Sequence, residues 1–178
     1  MTTYPEALVP PGGVAPVPRR LRGRLGDTWV FDTERALYVW EIPPYPQYYV
    51  PLADVDAALL VDEHRSEPTD QGSAAGWGLR VGALTRPGAV RVYGDDAPEP
   101  LRDTARVDWA ALDAWFEEDE QVYVHPRNPY ARADAVRSGR AVRVELDGVV
   151  LAEAASSVIV FETGLPPRYY LERTALRL

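Results

Sequence analysis

The sequence of 178 residues contains no cysteine and no lysine, and only two histidines and one methionine. Without cysteine there can be no disulfide, no thiolate nucleophile and no cysteine zinc site. Without lysine there is no Schiff-base amine and no phosphate-loop lysine; all 19 basic residues are arginine, whose planar fork suits bidentate pairing. A GC-rich genome is an equally simple source of that bias. No apolar run approaches membrane-spanning length, and the start, MTTYPEALVPPGGVAPVPRR, lacks the basic and apolar regions of a secretory signal. The expectation is a soluble cytoplasmic protein with no membrane partner. Gly-rich phosphate loops, a serine elbow and the spaced carboxylates of a two-metal site are also missing.

What is present is a foldable, acidic chain. Apolar residues make up 46%, and 27 acidic against 19 basic residues give a net charge of −8. A nucleic acid polymer, which needs a cationic surface, is a poor partner for such a chain. Residues 1–18 are rich in proline and glycine and read as a disordered or extended arm. From residue 19 the apolar positions alternate as in strands: 21–25, a Gly26-Asp27 turn, 29–32, 36–41, and 47–50 after a Pro43-Pro44 corner. Further short strands are expected at 55–61, 77–81 and 89–93, with a polar boundary at 95–104. DWAALDAWFEEDE reads either as a short helix capped by Asp108 or as strand, turn, strand, the second being preferred. ARADAV reads as one or two helical turns. RAVRVEL, an Asp147-Gly148 turn, VVLAE, SVIVFE and RYYL then repeat the strand grammar.

The repetition is literal. Sliding the chain by 121 positions aligns residues 21–55 with 142–176 without a gap, placing Arg22 on Arg143, Glu41 on Glu162, and Tyr48-Tyr49 on Tyr169-Tyr170. A gap-free register matters because a one-residue slip would turn a strand's core face to water. The expected fold is all-β with little helix, built on this duplicated unit. Its expected division is a first module over 19–110, a connector over 111–139 and the front half of a second module over 140–178. A half-module exposes strand edges, so residues 140–173 are expected to pack on the first module or to mediate a homodimer.

Three stretches, RLRGRLGDTWVFDTERALYVWE…YPQYYVPLADV, WFEEDEQVYVHPRNPY and RAVRVELDGVVLAEAASSVIVFETGLPPRYYL, resemble the bacterial family catalogued as domain of unknown function 427, often labelled nucleotidyltransferase-like. The resemblance implies a β-tent, two antiparallel sheets pinned at one edge. It also shows departures: Gln71 stands in the place of the family's lysine, and the second copy stops at Leu178 after its front strands.

Two clusters carry candidate chemistry. Arg22, Glu41, Tyr48 and Tyr49, with Trp40 and Trp77 nearby, repeat as Arg143, Glu162, Tyr169 and Tyr170. Aromatic walls with a glutamate and an arginine suit a small planar polar ligand such as a nucleoside or nucleotide. The competing structural reading makes Arg22–Glu41 a cross-strand ion pair and the tyrosines core. Alternation implies one inward and one outward ring in each tyrosine pair. The second cluster, Glu117, Glu118, Asp119, Glu120 and His125, has metal-ligand types but reads better as an exposed acidic loop, with His125-Pro126 fixing the next turn. Asp54 and Asp56 read as a solvated strand face. No cofactor is called for; Mg²⁺ enters only under the alternative of a nucleotidyltransferase, and a purely structural role needs no ligand.

Overall fold

The computed structural model describes residues 9–43, 45–130, 132–162 and 165–177. The first eight residues of the expected arm, Pro44 of the expected corner and Ala131 lie outside these. Among the described residues strands make up 58% and no helix reaches seven residues, so the protein is all-β. It divides into a larger compact unit, residues 8–117 and 121–128, and a smaller one that includes 118–120 and 129–178.

In the larger unit β1 (Val14–Pro16) pairs with β4 (Leu37–Ile42), so the extended arm is an edge strand. The sheet continues through β5 (Tyr45–Pro51), β9 (Thr104–Val107), β8 (Leu84–Tyr93), β7 (Gly72–Val81) and β6 (Leu60–Thr69), all antiparallel. A second sheet pairs β10 (Ala114–Glu117) with β2 (Leu21–Leu25) and β2 with β3 (Thr28–Thr33); β11 (Glu120–Val122) lies beyond β10. Along β2 the leucines and Gly23 are buried while Arg22 and Arg24 are half-exposed, the alternation of a one-sided sheet. The two sheets are pinned as in a β-tent, where Phe31 bridges to Val55 and the Asp56 N–H donates to the Val30 carbonyl at 2.9 Å.

Between the sheets lies an aromatic layer. Tyr48 stands 5.5 Å from Tyr38 and 5.9 Å from Trp115, and Trp109 stacks on Trp115 at 4.8 Å with an interplanar angle of 4°. At its centre Tyr48 donates its hydroxyl proton to Glu117, and Arg19 lies 3.6 Å from the same carboxylate while donating to the Tyr38 hydroxyl at 2.6 Å. On the opposite face of β4 and β5, Val39 and Tyr49 pack against Ala74 of β7 and Tyr93 of β8. Strands of one sheet therefore meet across a core, which requires the sheet to curl strongly. Both tyrosines of the pair are buried in consequence. The alternation is as expected, but each face has its own cover, so neither ring of the first pair points outward.

Several elements differ from expectation. Residues 57–59 form a 3-10 turn and the strand begins at Leu60, running through the polar stretch to Thr69. An edge strand has no obligation to alternate, and a bulge at Asp62–Arg65 puts His64 at φ 53° on the surface, 3.1 Å from Asp62. Trp109–Ala111 is a 3-10 turn followed by β10, as in the preferred strand reading. The segment read as helical turns is β12 (Ala133–Ser138), because its partner β15 (Ser157–Glu162) supplies ladder hydrogen bonds along its length. The stretch read as a connector thus contributes β10 to the larger unit and β12 to the smaller.

The smaller unit holds β12, β15 and β16 (Arg168–Tyr170) in one sheet and β13 (Val142–Leu146) with β14 (Val149–Ala154) in another. Its pairings reproduce those of the larger unit position by position. Val14 opposite Val39 becomes Ala135 opposite Val160, and Tyr38 opposite Tyr48 becomes Ile159 opposite Tyr169. The bulge at Gly23/Arg24 reappears at Val144/Glu145, and the Phe31–Val55 bridge reappears as Ala152–Leu176. The duplication therefore reaches further upstream than the sequence alignment, to residues 14–16 and 135–137. Among the described residues the smaller unit has no counterpart of β6 to β9, and Val144, Leu146, Val149, Leu151, Tyr169 and Tyr170 are 40–61% exposed. Tyr169 and Tyr170 are thus both outward, again unlike the expected division.

The Arg19–Glu117–Tyr48 cluster predicts a large response to truncation. Glu117→Ala is expected to lose about 3–5 kcal/mol of unfolding free energy in urea, because Arg19 is left charged and buried, whereas a loss below about 1 kcal/mol would show that the pair does not hold the sheets together.

Candidate functional site

The expected site residues separate. Trp40 is fully buried 6.0 Å from Tyr38, and Tyr48 belongs to the aromatic layer, so both are core. Arg22 sits on the other sheet, opposite Asp32 in register, with its guanidinium over Trp29 at 4.8 Å and Phe116 at 5.6 Å. It does not pair with Glu41, which is held by Arg106. Trp77 is half-buried on β7, opposite Asp62 and Val90. In the smaller unit Arg143 lies 3.2 Å from Glu145 and 3.7 Å from Glu153, and Glu162 pairs with Arg168. Glu41 and Tyr49 remain, and they meet at a pocket of about 370 Å³ in the larger unit.

That pocket is built by strands the first pass did not connect. Glu41 and Tyr49 share a face of β4 and β5, and Tyr49 donates to Glu41 Oε1 at 2.9 Å. The hydroxyl of Tyr93, from β8, lies 3.2 Å from that of Tyr49. Arg106 of β9 donates from Nε to Glu41 Oε1 at 2.5 Å and from Nη1 to Asp108 Oδ1 at 2.5 Å. Arg91 of β8 donates to Glu67 Oε1 at 2.5 Å and keeps Nη1 3.9 Å from Asp108. The result is a continuous chain of charge, Glu41, Arg106, Asp108, Arg91, Glu67, along one wall.

The opposite wall is the β6–β7 hairpin. Thr69 donates its hydroxyl to the Gly72 carbonyl at 2.7 Å and accepts from the Gln71 N–H at 3.1 Å, closing a turn at Asp70-Gln71. Gly72 has φ +104°, and a Cβ there would meet Ala97 Cα and Asp96 O at 3.1 Å. Only glycine suits this backbone. The turn fixes Gln71 with its residue 9% exposed, lining the pocket, and its side-chain amide makes no hydrogen bond to another described residue.

The electrostatics follow from these partners. Burial, then the bond to Tyr93 and the charge of Glu41, raises the Tyr49 phenol far above its ordinary value of 10.0. Burial alone would lower Arg106, but the charge of Glu41 and the bonds to Asp108 and Glu41 raise it. The hydrogen bond from Arg91, then its charge, lowers Glu67.

The acidic run proves to be different chemistry from an exposed loop. Glu117 and Glu118 are each 1% exposed; Glu118 accepts from Ser138 at 2.7 Å and from Arg140 at 2.6 and 3.0 Å, within the smaller unit. Asp119 and Glu120 are exposed. His125 lies 4.3 Å from Tyr45, with Nδ1 2.8 Å from the Pro126 carbonyl, a backbone bond of the expected kind. Asp54 accepts from Thr33 at 2.6 Å and from Arg35, and Asp56 caps the Ala58 N–H at 3.0 Å. Among the described residues no group of three His, Asp or Glu is arranged to hold a metal ion, and no helix is long and apolar enough to cross a membrane.

The neutral Tyr49 phenol is part of the folded state, so its contribution is complete below pH 10.0 and is lost as pH rises from there toward the raised folded value. The stability difference between the wild type and Tyr49→Phe, measured by urea unfolding, is expected to be constant from pH 7 to 9 and to shrink above pH 10.0. A difference unchanged at higher pH would show that the phenol is not held neutral. For the hairpin, Gly72→Ala is expected to cost about 2 kcal/mol through positive φ and the close approach of Ala97.

No curated protein matches the chain. The profile labelled NTP_transf_9 matches residues 13–118 and 134–178, which together span both copies of the repeated unit. The chain therefore belongs to the family described as Domain of unknown function (DUF427).

Proposed function

We propose that the larger unit is a binding module that takes a small planar polar molecule, of nucleoside or nucleotide type, in the pocket beside Glu41 and Tyr49. The observation that carries this reading is the pocket itself. Its volume of about 370 Å³ falls in the range of small-molecule sites, and its wall is rigid because every charged group on it except Asp70 already has a partner. Two phenols and several carboxylate oxygens offer acceptor and donor sites to a flat ligand, and the buried tyrosine pair provides an apolar floor.

The profile's label suggests nucleotidyl transfer. The pairing of the carboxylates favours binding over that alternative: Glu41 is paired with Arg106 and Glu67 with Arg91, so the negative charge that would hold Mg²⁺ at this wall is already balanced by arginine.

A panel of nucleobases, nucleosides and nucleotides tests the proposal by thermal shift and calorimetry. At one hundred times its Kd a true ligand stabilises the protein by about 2.7 kcal/mol. Glu41→Gln, which keeps an acceptor for Tyr49 but removes the charge, is expected to weaken that ligand about tenfold, or about 1.4 kcal/mol. A flat response across the panel would remove the reading, and binding that does not change in Glu41→Gln would place the ligand elsewhere.

A further inference from the structure

The groups left unsatisfied in this pocket are specific enough to define the ligand. Gln71 is the sharpest of them. The residue is 9% exposed, its backbone is locked by the Thr69 hydroxyl and the positive φ of Gly72, and its amide has no hydrogen-bonding partner among the described residues. Its amide atoms are not sealed from solvent, so a molecule entering the pocket can replace water as their hydrogen-bond partner. A carboxamide presents one acceptor and a donor side by side. Its natural complement is an edge with the same pair in reverse, such as a lactam or an amino group beside a ring nitrogen.

Charge narrows the class further. Glu41 spends Oε1 on both Tyr49 and Arg106, and Glu67 spends Oε1 on Arg91, which leaves the second oxygen of each as an open acceptor. Asp70, at the rim beside Gln71, makes no ion pair. Among the described residues that line the pocket the cation is Arg91, which donates from Nε to Glu67 and keeps Nη1 3.9 Å from Asp108. A phosphate entering here would face three carboxylates, Glu41, Glu67 and Asp70, against one guanidinium already paired with Glu67, whereas ring N–H groups or a protonated amine would find acceptor oxygens.

We propose that the pocket selects a phosphate-free planar heterocycle with adjacent donor and acceptor atoms on one edge, a nucleobase or nucleoside in preference to its phosphorylated form, with Gln71 reading that edge. The inference rests on the pocket being the ligand site, and it reverses the charge preference expected of a nucleotide site.

Calorimetry with adenosine, guanosine, cytidine and uridine, each against its 5′-monophosphate, with inorganic phosphate as a further probe, tests it. At least one nucleoside is expected to bind about tenfold or more tightly than its monophosphate. Gln71→Leu, nearly equal in volume, is expected to weaken that nucleoside about tenfold while leaving the melting temperature of the free protein unchanged. Gln71→Lys, which places an ammonium among the carboxylates, is expected to narrow or reverse the discrimination against the monophosphate. It also serves if the leucine variant folds poorly. Equal or tighter binding of the monophosphate, or of phosphate itself, overturns this proposal and leaves the pocket as a binding site. Nucleoside affinity unchanged in both Gln71 variants overturns it too. Silence from every compound overturns the binding reading along with it.

Discussion

The larger unit depends on β4 and β5 being buried on both faces. A strand pair of this kind cannot follow the simple rule of one face for the core and one for water; each side chain must find cover, and each polar atom a partner. Tyr38, Trp40 and Tyr48 take one face and are covered by the second sheet, with Glu117 and Arg19 satisfying the hydroxyls. Val39, Glu41 and Tyr49 take the other, and the curled strands β7 and β8 cover it. The adjacent tyrosines are thus two anchors for two cores. The pocket sits where the second cover is incomplete, at the end of the face that carries Glu41.

The smaller unit is a control for that argument within the same chain. Backbone pairings, the bulge, the 3-10 turn and the pinning bridge all recur at an offset of 121 positions, so these features are dictated by the front strands alone. Burial of the tyrosines does not recur, because covering strands are missing among the described residues. The arginine that opens each copy is held in both: Arg19 by Glu117 and Arg140 by Glu118. β10 ends at Glu117 and Glu118 turns away at φ 53°, so the two carboxylates part, one to each unit. Both glutamates would be costly to bury without those arginines.

Sequence reading succeeded where structure is local. The front strands alternate, Asp147-Gly148 makes a tight turn, and the gap-free repeat locks the register; each is decided within a few residues. It failed where burial is decided from a distance. Nothing within EEDE distinguishes the two buried glutamates from the two exposed ones, since their partners lie at 19 and 140. The polar strand β6 lacked alternation because it is an edge, and Ala133–Ser138 resembled a helical turn until a partner strand was present. Of the site, Glu41 and Tyr49 were found through the repeat. Glu67, Arg91, Tyr93 and Arg106 were not, because they lie in strands with no counterpart among the described residues of the smaller unit. The alternation of Arg91 with Tyr93 and of Arg106 with Asp108 was the only local trace of them.

That contrast locates the origin of the site chemistry. Glu41 and Glu162 are equivalent in the repeat, yet Glu162 takes its partner from the neighbouring strand, Arg168, while Glu41 takes Arg106 from β9, which has no counterpart among the described residues of the smaller unit. The glutamate is therefore a property of the repeated unit, and its partners are a property of the covering strands. With Arg106 paired to Glu41 and Asp108, and Arg91 to Glu67, these cations are balanced by carboxylates, and the cavity is lined by Glu41, Glu67, Asp70, the Gln71 amide and the paired Arg91. A pocket finished by arginine-bearing strands thus presents a hydrogen-bonding interior in which the cations are already paired with carboxylates, because each arginine buried against the wall needs a counter-charge.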